Sequence, residues 1–372
     1  MVIGVDIRCL AERFRTGVGE YAYNLLRRLP SLASANQFRY FCNAAKPVHM
    51  PEIFAPNVKV HQGRIPSKIF NTSVRLLHRP RLDVVCGADA IFLPSLQSVA
   101  VRSTTKLLVT MHDLSFERYP EFFSRKSRLW HRLVNPRWLC HRADAIVATS
   151  EHTKNEVVEY YGIPSERVAV TPLGVDDSFF RRAVNSEIDR MRRQYGLPQR
   201  YILTVGNLEP RKNVASILAA YGQLQPDADL VVVGQAVRGG EALYGQAQTL
   251  KNGNRVHFLG YVSANDRPIV YQAAAIFVYP SYYEGFGLPA LEAMASGTPV
   301  IASNTTSLPE VVGNAGILVD PYDVSDLTEA LAALLKDSNL CRRFADRGVA
   351  RAKEFSWQRT AEMTAAVVSQ LA

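Results

Sequence analysis

Short apolar runs of four to six residues recur along this chain, many of them followed by a stretch with helical apolar spacing, and that alternation narrows the fold more than any other feature. Residues 3–7, 38–42, 90–93, 106–111, 145–149 and 168–171 read as buried strands, and 21–29 carries apolar side chains at helical spacing. Strands that are apolar throughout and joined by helical crossovers make a parallel sheet covered on both faces. Around 172–182 the pattern breaks, and a fresh series follows at 201–205, 230–233, 256–259, 276–279 and 299–302. With 372 residues the chain exceeds what one core organises. The expected division is therefore 1–176 and 177–355, with an amphipathic closing helix at 356–372 that crosses back to the N-terminal domain. Open α/β sheets bind ligands at the carboxyl ends of their strands, so a cleft between two such domains is the expected site.

Hydrophobic residues make up 47% of the chain without a run long enough to cross a bilayer, and Met1 leads directly into the first strand, which predicts a cytoplasmic protein. Five cysteines, at 9, 42, 86, 140 and 341, lack the close spacing of zinc or redox motifs and suit a reducing compartment. A net charge of +9 favours phosphorylated ligands, anionic lipid or nucleic acid without choosing among them. Two stretches, 64–81 and 122–142, are basic and contain no acid, and in the second Phe122, Phe123, Leu129, Trp130, Leu133 and Trp138 lie among the Arg and Lys residues. Such a mixture fits either an anionic bilayer surface, which would put the protein on the inner face of the membrane, or a solvated basic face over a buried stripe.

The chemistry concentrates in a few loops. After the strand at 276–279 comes Glu284-Gly-Phe-Gly287, and Pro289 then suits the first turn of a helix that Gly297 ends. The backbone N–H groups of Gly285, Phe286, Gly287 and Leu288 are expected to face phosphate or sugar oxygens at that helix start. Glu284 and Glu292 would face the same cleft, where a carboxylate accepts hydrogen bonds from two neighbouring hydroxyls; the alternative is a loop acid and a helix-dipole acid. Behind the strand at 201–205, Gly206-Asn-Leu-Glu-Pro-Arg-Lys-Asn213 enters another helix; a lysine at such a strand end, Lys212, can neutralise a diphosphate leaving group, and the alternative is that Arg211 and Lys212 are ordinary solvated helix-start charges. Gly17-Val18-Gly19 reads as a glycine loop after the first strand or simply as a tight strand-to-helix connection, and His112-Asp113 closes the strand at 106–111, where the histidine is either structural or a partner for a hydroxyl. Asp227-Ala-Asp229 has the spelling of a metal motif but sits in a turn between helix and strand, so no metal is expected.

The segment Pro280-Ser-Tyr-Tyr-Glu-Gly-Phe-Gly-Leu-Pro-Ala-Leu-Glu-Ala-Met-Ala-Ser-Gly-Thr-Pro-Val300 resembles the E-x7-E region of glycosyltransferase family 4, a retaining family of the GT-B fold. Ser150-Glu-His-Thr-Lys154, Pro172-Leu-Gly-Val-Asp176 and Pro309-Glu-Val-Val-Gly313 extend the likeness over almost the whole chain. The resemblance implies an α/β protein of two Rossmann-like domains with parallel sheets facing across a cleft. It implies that Glu284 contacts the donor sugar, Glu292 the ribose, Gly17 to Gly19 the donor phosphates, His112 the sugar and Glu310 the nucleotide. Lys212 matches the family's lysine, whereas Asn207 stands where an arginine is usual, leaving Arg211 to compensate. The catalytic candidates are thus Glu284, His112 and Lys212. The implied reaction moves a hexose from a nucleotide-diphosphate donor, GDP-mannose first and UDP-glucose its nearest competitor, to a saccharide or lipid-linked acceptor of cell-surface polysaccharide synthesis. Neither cofactor, metal nor nucleic acid is expected. Two readings from other classes stand beside it. An NAD-dependent oxidoreductase would use 231–235 but lacks G-x-G-x-x-G with a suitably placed acid, and a non-catalytic nucleic-acid-binding protein would use the positive charge alone.

Overall fold

The computed structural model describes residues 1–11, 16–44, 55–237 and 240–371. Its chain divides into two compact units, Met1–Gly174 with Trp357–Ala372, and Val175–Ser356. In the first unit seven strands, β1 (Val2–Asp6), β2 (Gln37–Asn43), β3 (Val58–Gly63), β4 (Ala90–Leu93), β5 (Lys106–Met111), β6 (Ala145–Ala148) and β7 (Val168–Val170), form one sheet in the order β3-β2-β1-β4-β5-β6-β7. All of its pairings are parallel. The second unit holds β8 (Tyr201–Val205), β9 (Asp229–Val233), β10 (Val256–Gly260), β11 (Ile276–Tyr279), β12 (Val300–Ser303) and β13 (Ile317–Val319) in the order β10-β9-β8-β11-β12-β13, again parallel throughout. Each is a Rossmann-like sheet whose strand order reverses once, between β1 and β4 and between β8 and β11. Those reversals are where such sheets open a crevice at the strand ends.

Period-two alternation places Ile91 and Leu93 of β4, Leu107, Val109 and Met111 of β5, and Ile146 and Ala148 of β6 in one core, under helices that contribute Phe70, Val74, Leu82, Val134 and Leu139. The second unit repeats the scheme with Ile202, Leu230, Val232, Ile276, Val278 and Ile301.

Strands β3 and β13 are additions to the sequence reading. β3 carries Lys59, His61 and Gln62 on an exposed edge, so its composition is not that of a buried strand, and β13 is only three residues long. The helix expected over 21–29 starts earlier, at Gly17, and runs to Leu26. Thr16 caps it, its hydroxyl accepting from the Gly19 amide at 3.4 Å. Gly17, Val18 and Gly19 are therefore the first turn of a helix and not a loop, while 12–15 before them lie outside the described residues. The closing helix, Trp357–Ser369, packs on Gly17–Leu26 and Leu29–Leu32 of the first unit, and Thr360 donates to the Pro172 carbonyl at 2.6 Å.

Asp229 opens β9 and does not sit in a turn. Its carboxylate binds Arg255 Nε and His257 Nε2, both at 2.7 Å, and Asp227 pairs with Arg200. Gly234, at the end of β9, is required by packing, since a Cβ there would stand 1.8 Å from the Gly206 carbonyl oxygen. Among the described residues no helix is long and apolar enough to cross a membrane.

Candidate functional site

In the second unit the chain leaves the neighbouring strands β8 and β11 at the order reversal, and the two departing loops carry the charged residues. After β8, Gly206 at φ 152° opens a loop that ends in the short turn Pro210–Lys212. Asn213 follows in the left-handed region at φ 55°, which asparagine tolerates, and starts the helix Val214–Gln223. Its buried amide donates to the carbonyls of Pro280 (3.1 Å) and Pro321 (2.7 Å), fastening the loops that follow β8, β11 and β13 to one another. The Tyr282 amide adds a bond to the Arg211 carbonyl at 2.9 Å.

This framework brings Lys212 Nζ to 2.7 Å from Glu284 Oε1 and Arg211 Nη1 to 3.1 Å from Glu284 Oε2. Arg211 also donates to the Tyr283 carbonyl at 2.7 Å, and Lys212 bonds the hydroxyl of Tyr279, over whose ring its ammonium lies at 4.9 Å. The three charged side chains are nearly enclosed, Glu284 8% exposed, Lys212 13% and Arg211 15%. Burial by itself would raise the Glu284 carboxyl, but the Lys212 and Arg211 cations carry it down to about 2. Burial and the adjacent Arg211 charge draw the Lys212 ammonium below its ordinary range, against the pull of Glu284. Tyr279, buried beside the Glu284 carboxylate, is held well above the usual phenol range and keeps its proton.

Hydroxyls from the next loop fix the acidic loop. The Glu284 amide donates to Thr306 Oγ1 (3.1 Å), and Ser307 Oγ lies within hydrogen-bond distance of the Glu284 and Phe286 carbonyls (2.8 and 2.9 Å). Gly287 caps the helix Leu288–Ala295 at φ 113°, with Leu308 so close that a Cβ would come within 2.5 Å of its methyl. Pro289 has no N–H, and the Ala290 and Leu291 amides bond back to the Gly287 carbonyl, so Gly287 and Leu288 supply the amides at the helix start. Phe286 is buried with its ring edge-on to Phe355, centroids 5.9 Å apart, a packing role for its side chain. Gly285 is buried in the same loop.

Glu292 stands in the second turn of that helix and has a different partner from Glu284. Its carboxylate pairs with Arg267 at 3.4 Å and abuts Tyr271, whose phenol is raised first by burial and then by that charge. Asn207 is exposed and its carbonyl accepts from the Glu209 amide, so Arg211 and not residue 207 brings the guanidinium to Glu284. Glu310 lies in the helix Leu308–Val312, where Arg351 binds its carbonyl at 2.6 Å.

In the first unit, His112 closes β5 beside the end of β4. Its Nε2 lies 2.8 Å from the Pro94 carbonyl, the Tyr21 ring meets it edge-on at 4.8 Å, and Tyr21 is itself tied to Thr110 at 3.0 Å. A carbonyl only accepts, so Nε2 carries the proton, and burial lowers the ring's pKa toward the neutral form. The His112 imidazole therefore presents Nδ1 as an acceptor.

Sequence reasoning missed Asn213, Tyr279, Tyr271, Arg267, Thr306 and Ser307. Only Asn213 carried a local signal, an asparagine immediately before a helical run; the others become visible once β8, β11 and β12 are neighbours.

The profile of the family described as Glycosyltransferase Family 4 matches residues 15–179, and that of Glycosyl transferases group 1 matches 187–351. An O-antigen chain mannosyltransferase B of Escherichia coli is 30% identical, the alignment covering 94% of each chain. The serotype-specific mannosyltransferase WbdA of Escherichia coli is 34% identical over 60% of this chain and 28% of its own length. Among solved structures, Anabaena HepE in complex with UDP-glucose superposes with a TM-score of 0.74 at 21% identity, covering all of both chains. With two Rossmann-like sheets and this pair of charged loops, the chain belongs to glycosyltransferase family 4 and has the GT-B fold. It is a glycosyltransferase.

Proposed function

We propose that this protein transfers mannose from GDP-mannose, with retention of anomeric configuration, to a hydroxyl of a saccharide or lipid-linked saccharide in the assembly of a cell-surface polysaccharide. The observation that carries the reading is the Lys212–Glu284–Arg211 cluster at the carboxyl ends of β8 and β11. A carboxyl held at about 2 stays ionised at neutral pH, so Glu284 accepts hydrogen bonds from sugar hydroxyls and does not act as a general acid. Lys212 and Arg211 are cations already oriented and largely withdrawn from water, which is where they best stabilise the charge growing on a departing diphosphate. The Gly287 and Leu288 amides add donors for phosphate oxygens, as do those of Gly17 and Val18, the Gly19 amide being taken by the Thr16 cap.

Glu292 takes the ribose hydroxyls in exchange for Arg267, and Glu310 contacts the nucleotide. His112, neutral with Nδ1 as an acceptor, orients a hydroxyl of the sugar. Retention by attack from the face the diphosphate leaves lets the departing phosphate oxygen take the acceptor proton, so no protein base is required. The cations supply the charge neutralisation, and the reading needs neither metal nor cofactor.

The mannose assignment is supported by the full-length relative, a mannosyltransferase, and by WbdA, also a mannosyltransferase. The test is turnover of GDP-mannose and UDP-glucose with lipid-linked saccharide acceptors, the product linkage being read by NMR. An α-linked mannoside formed from GDP-mannose supports the proposal. Glucosyl transfer from UDP-glucose alone removes the donor assignment, and an inverted product removes retention.

A further inference from the structure

Four helices of the first unit, Ser67–Leu77, Leu82–Cys86, Arg125–Val134 and Pro136–Arg142, cover one face of its sheet. Each sends apolar side chains inward, Phe70 and Val74, Leu82 and Cys86, Val134, then Leu139 and Cys140, into the single core lined by Ile91, Leu107, Val109 and Ile146. Helices that bury one stripe ordinarily present a polar outer face. Here large apolar side chains stand on that outer face as well: Ile69, Leu76, Leu77, Val84, Leu129 and Trp138 are between 48% and 74% exposed.

Along the sequence of these helices the charge is almost all of one sign. From Arg64 to Leu82 and from Phe122 to Arg142 the chain has no carboxylate, while Arg64, Lys68, Arg75, Arg79, Arg81, Arg125, Lys126, Arg128, Arg132 and Arg137 all fall within those stretches. The next acid, Asp83, is buried and paired with Arg102 at 3.2 Å. The two stretches are linked through Arg102, whose guanidinium pairs with Asp83 next to the first and whose carbonyl, with that of Ser103, accepts from Arg142 of the second at 2.9 and 3.1 Å. Beside Arg102, a depression of about 440 Å³ is lined by the guanidinium-bearing Arg79 and Arg81 together with Val84 and Val85.

We infer that this outer face docks on an anionic phospholipid bilayer, the aliphatic and indole side chains entering the acyl boundary and the arginines meeting lipid phosphates. Both halves of the surface are needed to choose that occupant. Nucleic acid would engage the arginines but leave the leucines and Trp138 in water, and a second copy of this face would set arginine against arginine. A bilayer leaflet offers apolar and anionic groups at the same depth. The inference is independent of which sugar the protein transfers.

The test is co-sedimentation of the full chain with vesicles of phosphatidylcholine alone and of equimolar phosphatidylcholine and phosphatidylglycerol. Binding is expected to the anionic vesicles and to weaken with salt. Arg79→Gln and Arg81→Gln each lower the partition coefficient about five-fold, the equivalent of roughly 1 kcal/mol per basic residue. Leu77→Ser and Trp138→Ala each lower it about ten-fold through lost apolar burial. Because these side chains are exposed, thermal melting should be unchanged, which separates lost docking from lost fold. Absence of binding to anionic vesicles overturns the inference. So does binding that depends on the arginines while Leu77→Ser and Trp138→Ala leave it unaltered, or a dimer in sedimentation velocity that Leu77→Ser disperses.

Discussion

Replacing Glu284 with glutamine keeps the size of the side chain and one acceptor oxygen but removes the charge that Lys212 and Arg211 share. Glutamine stands in for the protonated carboxyl, so the cost follows from how strongly the fold prefers the ionised form. That preference takes the carboxyl from 4.5 to about 2, which at 1.36 kcal/mol per pH unit is roughly 3 kcal/mol. The folded pKa is depressed, so the contribution is complete above about pH 4.5 and is lost as the pH falls toward about 2. Glu284→Gln should therefore melt below the wild type at pH 7, and the gap should narrow in acid below pH 4.5. Thermal melting at a series of pH values, with the transition of the second unit followed separately, reads the effect. Equal stability at pH 7, or a gap that does not depend on pH, would refute the argument that the two cations hold this carboxylate.

Lys212→Met should cost about 10²–10³ in kcat, the loss typical of one preorganised charge-stabilising donor, with a smaller effect on KM in steady-state assays. Gly287→Ala should destabilise the second unit by about 1–3 kcal/mol, because φ 113° disfavours a side chain and the added methyl meets Leu308; thermal melting measures it. Asn213→Ala should cost roughly 2–4 kcal/mol by leaving the Pro280 and Pro321 carbonyls without its amide, and should lower kcat as the loops separate. Glu292→Ala should weaken GDP binding about ten-fold in titration calorimetry if the carboxylate holds the ribose.

Much of the fold was legible because parallel strands buried on both faces announce themselves as continuous apolar runs, as 106–111 and 276–279 do. β3 escaped because it is an edge strand with Lys59, Val60 and Gln62 exposed, and β13 because three residues do not make a period. The start of the helix at Gly17 was hidden by two glycines that weigh against helix on propensity alone, while the Thr16 cap decides in its favour. Lys212 and Glu284 were each readable from loop position and family motif. Their direct pairing was not, because it depends on β8 and β11 lying side by side although 72 residues separate the two charges. Tyr279, Arg267 and Ser307 lie in the same category, ordinary in sequence and distinguished only by what the sheet order sets beside them.

In the proposed reaction the loops after β8 and β11 bind a nucleotide diphosphate through Lys212 and its neighbours. Calorimetric titration of GDP, UDP and NAD into wild type and Lys212→Met tests it most directly. GDP should bind in preference to UDP and NAD, and the variant should bind it at least ten-fold more weakly. GDP affinity unchanged in Lys212→Met, or binding of NAD alone, would contradict it.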